Sequence, residues 1–186
     1  MVRQVSAFEN AVERTLEVEG AFSNRKTDRG GATKFGVTER VARANGYTGR
    51  MEDMTVEFAV SVYRLQYWDT LRLDDIASLS ERIAEEMFDT AVNCGVAVAG
   101  RFLQQALNVL NRGTELYADL PVDGVIGPVS VAALKDYLGH RGEEGERVML
   151  RALNSLQCAR YIEIAEGNES QEDYVYGWIL RRVRIE

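Results

Sequence analysis

Phe8-Glu9-Asn10-Ala11-Val12-Glu13-Arg14-Thr15-Leu16-Glu17-Val18-Glu19-Gly20 is the stretch on which the reading turns. At about 100° per residue, Val12 falls about 40° from Phe8, Leu16 about 80° and Glu19 about 20°. Glu13 and Glu17 fall on the opposite, wet face. Val5 to about Glu19 therefore reads as an amphipathic helix with one acid in the apolar stripe of its last turn. A carboxyl held against apolar neighbours favours its neutral form, the state a general acid must keep near neutrality. The alternative is a frayed helix end with Glu19 in water.

Residues 20–38 break the helical pattern with Gly20, Gly30, Gly31 and Gly36, which reads as an irregular loop with a short β-hairpin. Asp28 lies in this loop, ahead of Gly30-Gly31-Ala32-Thr33. A second carboxylate on a hairpin facing a helix-end glutamic acid is the arrangement that cleaves glycosidic bonds: one carboxyl protonates the leaving oxygen, the other activates water or stabilises the cationic transition state. Thr33 can orient that water. Equally, Asp28 can close its own turn and Thr33 can be a plain hairpin residue.

Outward from this stretch the periodicity stays helical. Helices are expected over Thr38–Ala44, from an N-cap at Thr55 through Trp68, from Ser80 to Asn93, from Val96 to Leu110 and from Pro128 through Leu138. Gly139–Gly145 reads as a polar loop, followed by helices over Glu146–Ala165 and Gln171–Val183. The fold class is mainly α, seven or eight helices with one small hairpin. With 186 residues, a core large enough to fold without metal or disulfide is available. No apolar run approaches a membrane span, and the N-terminus reaches Glu9 too early for a signal-peptide core.

Cys94 and Cys158 read as small buried hydrophobes, and a single histidine, His140, argues against a zinc site and against His-dependent nucleophiles. No metal or cofactor is expected. The net charge of −7 argues against nucleic-acid binding. Residues 20–50 nevertheless carry seven bases against two acids, a patch suited to an anionic partner or simply a solvated loop. Tyr63 and Tyr67 share one helical face that suits sugar rings or the core. Asn93 and Gln104 are polar residues in helical stretches, suited to hydrogen-bond a ligand or to bridge helices. Asp123-Gly124 reads as a turn.

The run Glu19-Gly20-Ala21-Phe22-Ser23-Asn24, then Asp28-Arg29-Gly30-Gly31-Ala32-Thr33-Lys34-Phe35-Gly36-Val37-Thr38, resembles glycoside hydrolase family 108, the N-acetylmuramidases of phages and prophages. Ala21 stands for the signature's second glycine and Val37 for its isoleucine. The spacing is also similar to the Glu–Asp–Thr triad of phage lysozymes, with four rather than five residues between Asp28 and Thr33. Tyr63-Arg64-Leu65-Gln66-Tyr67-Trp68 resembles the family's aromatic helix. Phe88–Gly95, Phe102-Leu103-Gln104-Gln105, Asp123-Gly124-Val125-Ile126-Gly127-Pro128 and the tail Gly177-Trp178 with Arg181-Arg182 resemble its predicted peptidoglycan-binding region.

The resemblance implies a lysozyme-like helical globule with its hairpin near the active site. It further implies a muramidase lobe over 1–92 and a helical peptidoglycan-binding lobe over 93–186, packed as one unit. The implied activity is hydrolysis of the β-1,4 bond between N-acetylmuramic acid and N-acetylglucosamine, with Glu19 as catalytic acid and Asp28 and Thr33 assisting. Tyr63, Tyr67, Asn93 and Gln104 are the candidate substrate contacts. Peptidoglycan strands are the expected partner of a monomer without stable membrane insertion. The implied setting is an endolysin made in the host cytoplasm that reaches the wall after membrane permeabilisation. Two rivals stay open: a lytic transglycosylase on the same scaffold, and a non-catalytic wall-binding module.

Overall fold

Helix α1, Ala7–Glu19, opens on a capping box, in which Ser6 Oγ accepts from the Glu9 amide at 3.2 Å and Glu9 Oε2 accepts from the Ser6 amide at 2.9 Å. This protein is seen as a computed structural model that describes residues 5–19 and 32–184, with side chains described for 5–16 and 32–184. The chain divides into two compact units, Met1–Asp69 and Thr70–Glu186.

In the first unit, Ala7, Ala11, Val12 and Thr15 of α1 are buried, while Phe8 and Leu16 are only half-buried. Phe8 meets Trp68 edge-on at 5.2 Å, and the Arg64 guanidinium lies 5.1 Å from the Phe8 ring. Strands β1, Thr33–Lys34, and β2, Val37–Thr38, pair antiparallel with Thr33 opposite Thr38. Their two-residue turn, Phe35-Gly36, has positive φ at both positions, the handedness that matches strand twist. Thr38 then caps α2, Glu39–Ala44, and Thr55 caps α3, Val56–Tyr63. Arg64–Trp68 continue α3 as one π-helical turn, which carries Trp68 into full burial.

The second unit holds α4, Leu73–Ala77, α5, Glu81–Cys94, α6, Val96–Leu110, α7, Pro128–Glu166, and α8, Glu172–Arg182. Ser80 caps α5 through the Ile83 amide, and Gly95 alone joins α5 to α6. Helix α5 packs on α4, α6 and α7. Its Ile83, Ala84, Met87, Phe88 and Ala91 share a core with Leu103, Leu107, Leu134, Met149 and Leu153.

One reading of the sequence is corrected here, and one element is added to it. Residues 139–145 are not a loop: α7 runs through them and breaks only at Gly142, with φ 56° and ψ −148°. Tyr137 Oη bridges the break, donating to the Gly145 carbonyl at 2.9 Å. The short helix α4, between the aromatic helix and Ser80, was not foreseen; five residues are too few to show a period. Cys94 and Cys158 are free and half-buried, and burial pushes the Cys94 thiol up to about 11, which leaves it a poor nucleophile.

Candidate active site

Glu19 is the last residue of α1. Its side chain and all of Asp28 lie outside the described residues. The rest of α1 defines the ground the Glu19 backbone position continues. Val5, Phe8, Val12 and Leu16, with Val60 of α3, line an open groove of about 650 Å³. The expected apolar stripe is thus divided: Ala7, Ala11 and Thr15 pack inward, and the row through Phe8 and Leu16 faces the groove. On an ideal helix Glu19 falls about 40° from Thr15 and about 20° from Val12, at the border between packed and groove-facing sectors. Among the described residues the last turn of α1 carries no base.

Thr33 opens β1 and is half-buried. The hairpin it belongs to is fixed from α3. Tyr63, 1% exposed, donates its hydroxyl to the Phe35 carbonyl at 2.8 Å. Lys34 Nζ donates to the Glu52 carbonyl and lies 5.1 Å from the Phe35 ring centre. Tyr63 is therefore a positioning residue for the turn, with no ring face open to a sugar. Tyr67 is half-buried beside it, the rings 5.8 Å apart. Part of the basic segment is spent locally: Arg43 binds the Tyr47 and Gly49 carbonyls and Glu39, and Arg50 pairs with Glu52.

Asn93 and Gln104 belong to the second unit. Asn93 Nδ2 donates to the Asp89 carbonyl one turn back, at 2.7 Å. Gln104, 2% exposed, clasps the Asp123-Gly124 turn: Nε2 donates to Asp123 Oδ1 at 2.8 Å and to the Val125 carbonyl at 3.1 Å, and Oε1 accepts from the Gly124 amide at 2.8 Å. Both amide protons are used inside the fold. Asp123 Oδ1 also accepts from the Val125 amide, and these bonds hold its carboxyl below the usual range.

The structure also brings together groups that the sequence reading passed over. Asp89 of α5 accepts from Arg182 of α8 at 2.6 Å and from Gln157 of α7 at 2.7 Å, which ties three helices together. Glu86, one turn earlier, is 5% exposed; burial and the nearby Asp89 push its carboxyl up to about 7. The helical-wheel test that singles out Glu19 finds it too, since Glu86 falls about 60° from Ile83 on an ideal helix.

Residues 12–95 match the family model described as Glycosyl hydrolase 108, and residues 98–183 match the one described as Predicted Peptidoglycan domain. No curated protein matches the chain. Among solved structures, that of Brucella abortus SagA superposes with a TM-score of 0.63 at 22% identity, covering 96% of this chain and 97% of that one. A likeness at that identity speaks for the fold: a mainly α, lysozyme-like architecture. Fold and family models together define the class, a glycoside hydrolase that acts on peptidoglycan. The chain thus carries a glycosyl hydrolase 108 domain over residues 12–95, followed by a predicted peptidoglycan domain over residues 98–183.

Proposed function

We propose that this protein is an endolysin-type N-acetylmuramidase that hydrolyses the β-1,4 bond from N-acetylmuramic acid to N-acetylglucosamine, with Glu19 as general acid. The observation that carries the reading is the place of Glu19: the last residue of α1, on the border of a groove-facing row, inside the hydrolase match. The carbonyl end of a helix disfavours an ionised carboxylate, and no described base in that turn offsets it. Glu19 donates its proton to the glycosidic oxygen, which leaves as the 4-hydroxyl of N-acetylglucosamine. Asp28 stabilises the cationic muramyl centre or positions the water that attacks it, and Thr33 orients that water.

In this proposal residues 1–92 form the muramidase lobe and residues 93–186 the wall-binding lobe. The protein acts as a monomer on the wall after the membrane has been permeabilised, as in phage lysis. No helix among the described residues is long and apolar enough to cross a membrane. Hydrolysis is favoured over transglycosylation because the sequence supplies Asp28 and Thr33 downstream of the acid.

Digestion of purified sacculi, with products analysed by mass, tests the reading. Wild-type protein should release muropeptides with reducing N-acetylmuramic acid ends, and Glu19→Gln should lower the rate by about 10²–10⁴-fold. Products ending only in 1,6-anhydro sugars establish the transglycosylase instead. Binding without cleavage by either protein establishes the non-catalytic module.

A further inference from the structure

The second unit contains a pocket that the proposed cleavage does not use. Its buried members are Glu86 of α5 and Asn154 of α7, and Arg82 of α5, Arg147 and Arg151 of α7 and Arg184 beyond α8 stand around them. The cavity is about 130 Å³, room for a small ionic group rather than a chain of sugar rings. Glu86 Oε1 is fully buried with no hydrogen-bond partner. A buried carboxyl oxygen left without a donor is costly, so its retention points to a donor that arrives with a ligand.

The four guanidiniums stand on exposed residues, and Arg82 also meets Glu146 at 3.6 Å. The pocket therefore pairs one deep acceptor with a cationic rim. Guanidinium forks suit carboxylates. A simple anion such as phosphate would meet Glu86, and a simple amine would meet four arginines. The complement is a group that carries an ammonium and a carboxylate on the same carbon. A glycan strand offers no ammonium, whereas a peptide stem with a diamino dicarboxylic acid has a free zwitterionic end.

We propose that this pocket is a peptide-stem subsite, in which Glu86 takes the ammonium and the arginine rim takes the carboxylate at the free end of a diamino dicarboxylic acid. The assignment rests on the reading that the chain acts on peptidoglycan. It gives the second unit a preference for uncrosslinked stems, because a crosslink consumes that ammonium. Asn154 Oδ1 accepts the Arg184 amide at 2.5 Å, which fixes the backbone of Arg184 against the floor of the site.

The test is calorimetric titration of the full chain with a disaccharide muropeptide bearing diaminopimelate. The same muropeptide N-acetylated at the free ammonium, and inorganic phosphate, serve as controls. Wild-type protein should bind the first saturably and the acetylated form at least ten-fold more weakly, with phosphate failing to compete. Glu86→Gln and Arg147→Ala should each weaken binding at least ten-fold; Arg147 is exposed, so its loss leaves the core intact. Equal binding of the two muropeptides, equal binding by the variants, competition by phosphate, or no saturable binding overturns the proposal. Sacculus digestion by the wild type is scored in parallel: failure there removes the cleavage reading, whereas intact digestion with unchanged variant binding removes only the subsite.

Discussion

The hydroxyl of Tyr63, the last residue of α3, donates to the carbonyl of Phe35 at 2.8 Å and so ties a core helix to the tip of the hairpin. Phe35 has φ 51°, a left-handed conformation that costs a non-glycine residue about 1–2 kcal/mol. The bond from Tyr63 is one of the contacts that holds it there. Tyr63→Phe keeps the buried ring and removes only the donor. It should lower stability by about 1 kcal/mol in urea melts, with an unchanged far-ultraviolet spectrum. Because Thr33 belongs to the same hairpin, sacculus digestion should fall by more than the loss of folded protein explains. An unchanged rate would show that the turn is held without this bond.

Thr33 itself can be probed more directly. Its backbone pairing with Thr38 survives any side-chain change that keeps a β-strand. Thr33→Ser retains the hydroxyl and should keep most of the digestion rate, whereas Thr33→Val retains the shape and should lose it by about ten-fold or more, the scale of a displaced water. Equal rates in the two variants would assign the threonine to the hairpin alone.

Glu86 makes the stability of the second unit depend on pH. Its carboxyl is raised from 4.5 to about 7, so the native state holds a proton that the unfolded chain has already released between those values. The stabilisation from that proton is complete below about pH 4.5 and is lost as pH rises through about 7. Glu86→Gln removes the titration. The variant should gain on the wild type as pH rises from 4.5, reaching about 3 kcal/mol above pH 7. Urea midpoints for both proteins at pH 4.5 and pH 8 measure this; a difference that does not change with pH would place the Glu86 carboxyl in solvent.

Much of this architecture was legible because its signals are local. Thr38, Thr55 and Ser80 announce helix starts through a side-chain oxygen three residues ahead of an amide, and the structure uses all three. Val96–Leu110 has its apolar period unbroken, and that range is helical. Gly139–Gly145 misled because glycine-rich polar composition lowers helix propensity, whereas the Tyr137 bond and the packing of Met149 and Leu153 keep α7 helical on both sides of one break. At the candidate site, Tyr63 and Gln104 show why residue type alone does not identify a ligand contact. Each has polar atoms that suit a sugar, yet each is turned to a backbone partner 28 and 20 residues away, which no period records. Glu86 was readable from its helical angle, but the pocket around it needed Arg147 and Arg151 from α7 and Arg184 from beyond α8.

Two glycines in helices should respond to the same substitution with opposite sign. On α6, a Cβ at Gly100 would lie 2.2 Å from the Gly124 carbonyl oxygen, and one at Gly124 would lie 2.5 Å from the Ala97 carbonyl oxygen. The helix and the Asp123-Gly124 turn therefore meet backbone to backbone, with Gln104 clasping the turn one helical turn further on. Gly100→Ala must push the turn away and break that clasp. It should cost about 1–3 kcal/mol even after the gain of about 1 kcal/mol in helix propensity. Gly139 in α7 is exposed, and a Cβ there meets nothing within 4 Å. Gly139→Ala should stabilise the protein by up to about 1 kcal/mol, the propensity gain without the clash. Urea denaturation of the two variants decides both at once. If Gly100→Ala melts with the wild type, the turn does not rest on α6, and the buried bonds of Gln104 need another explanation.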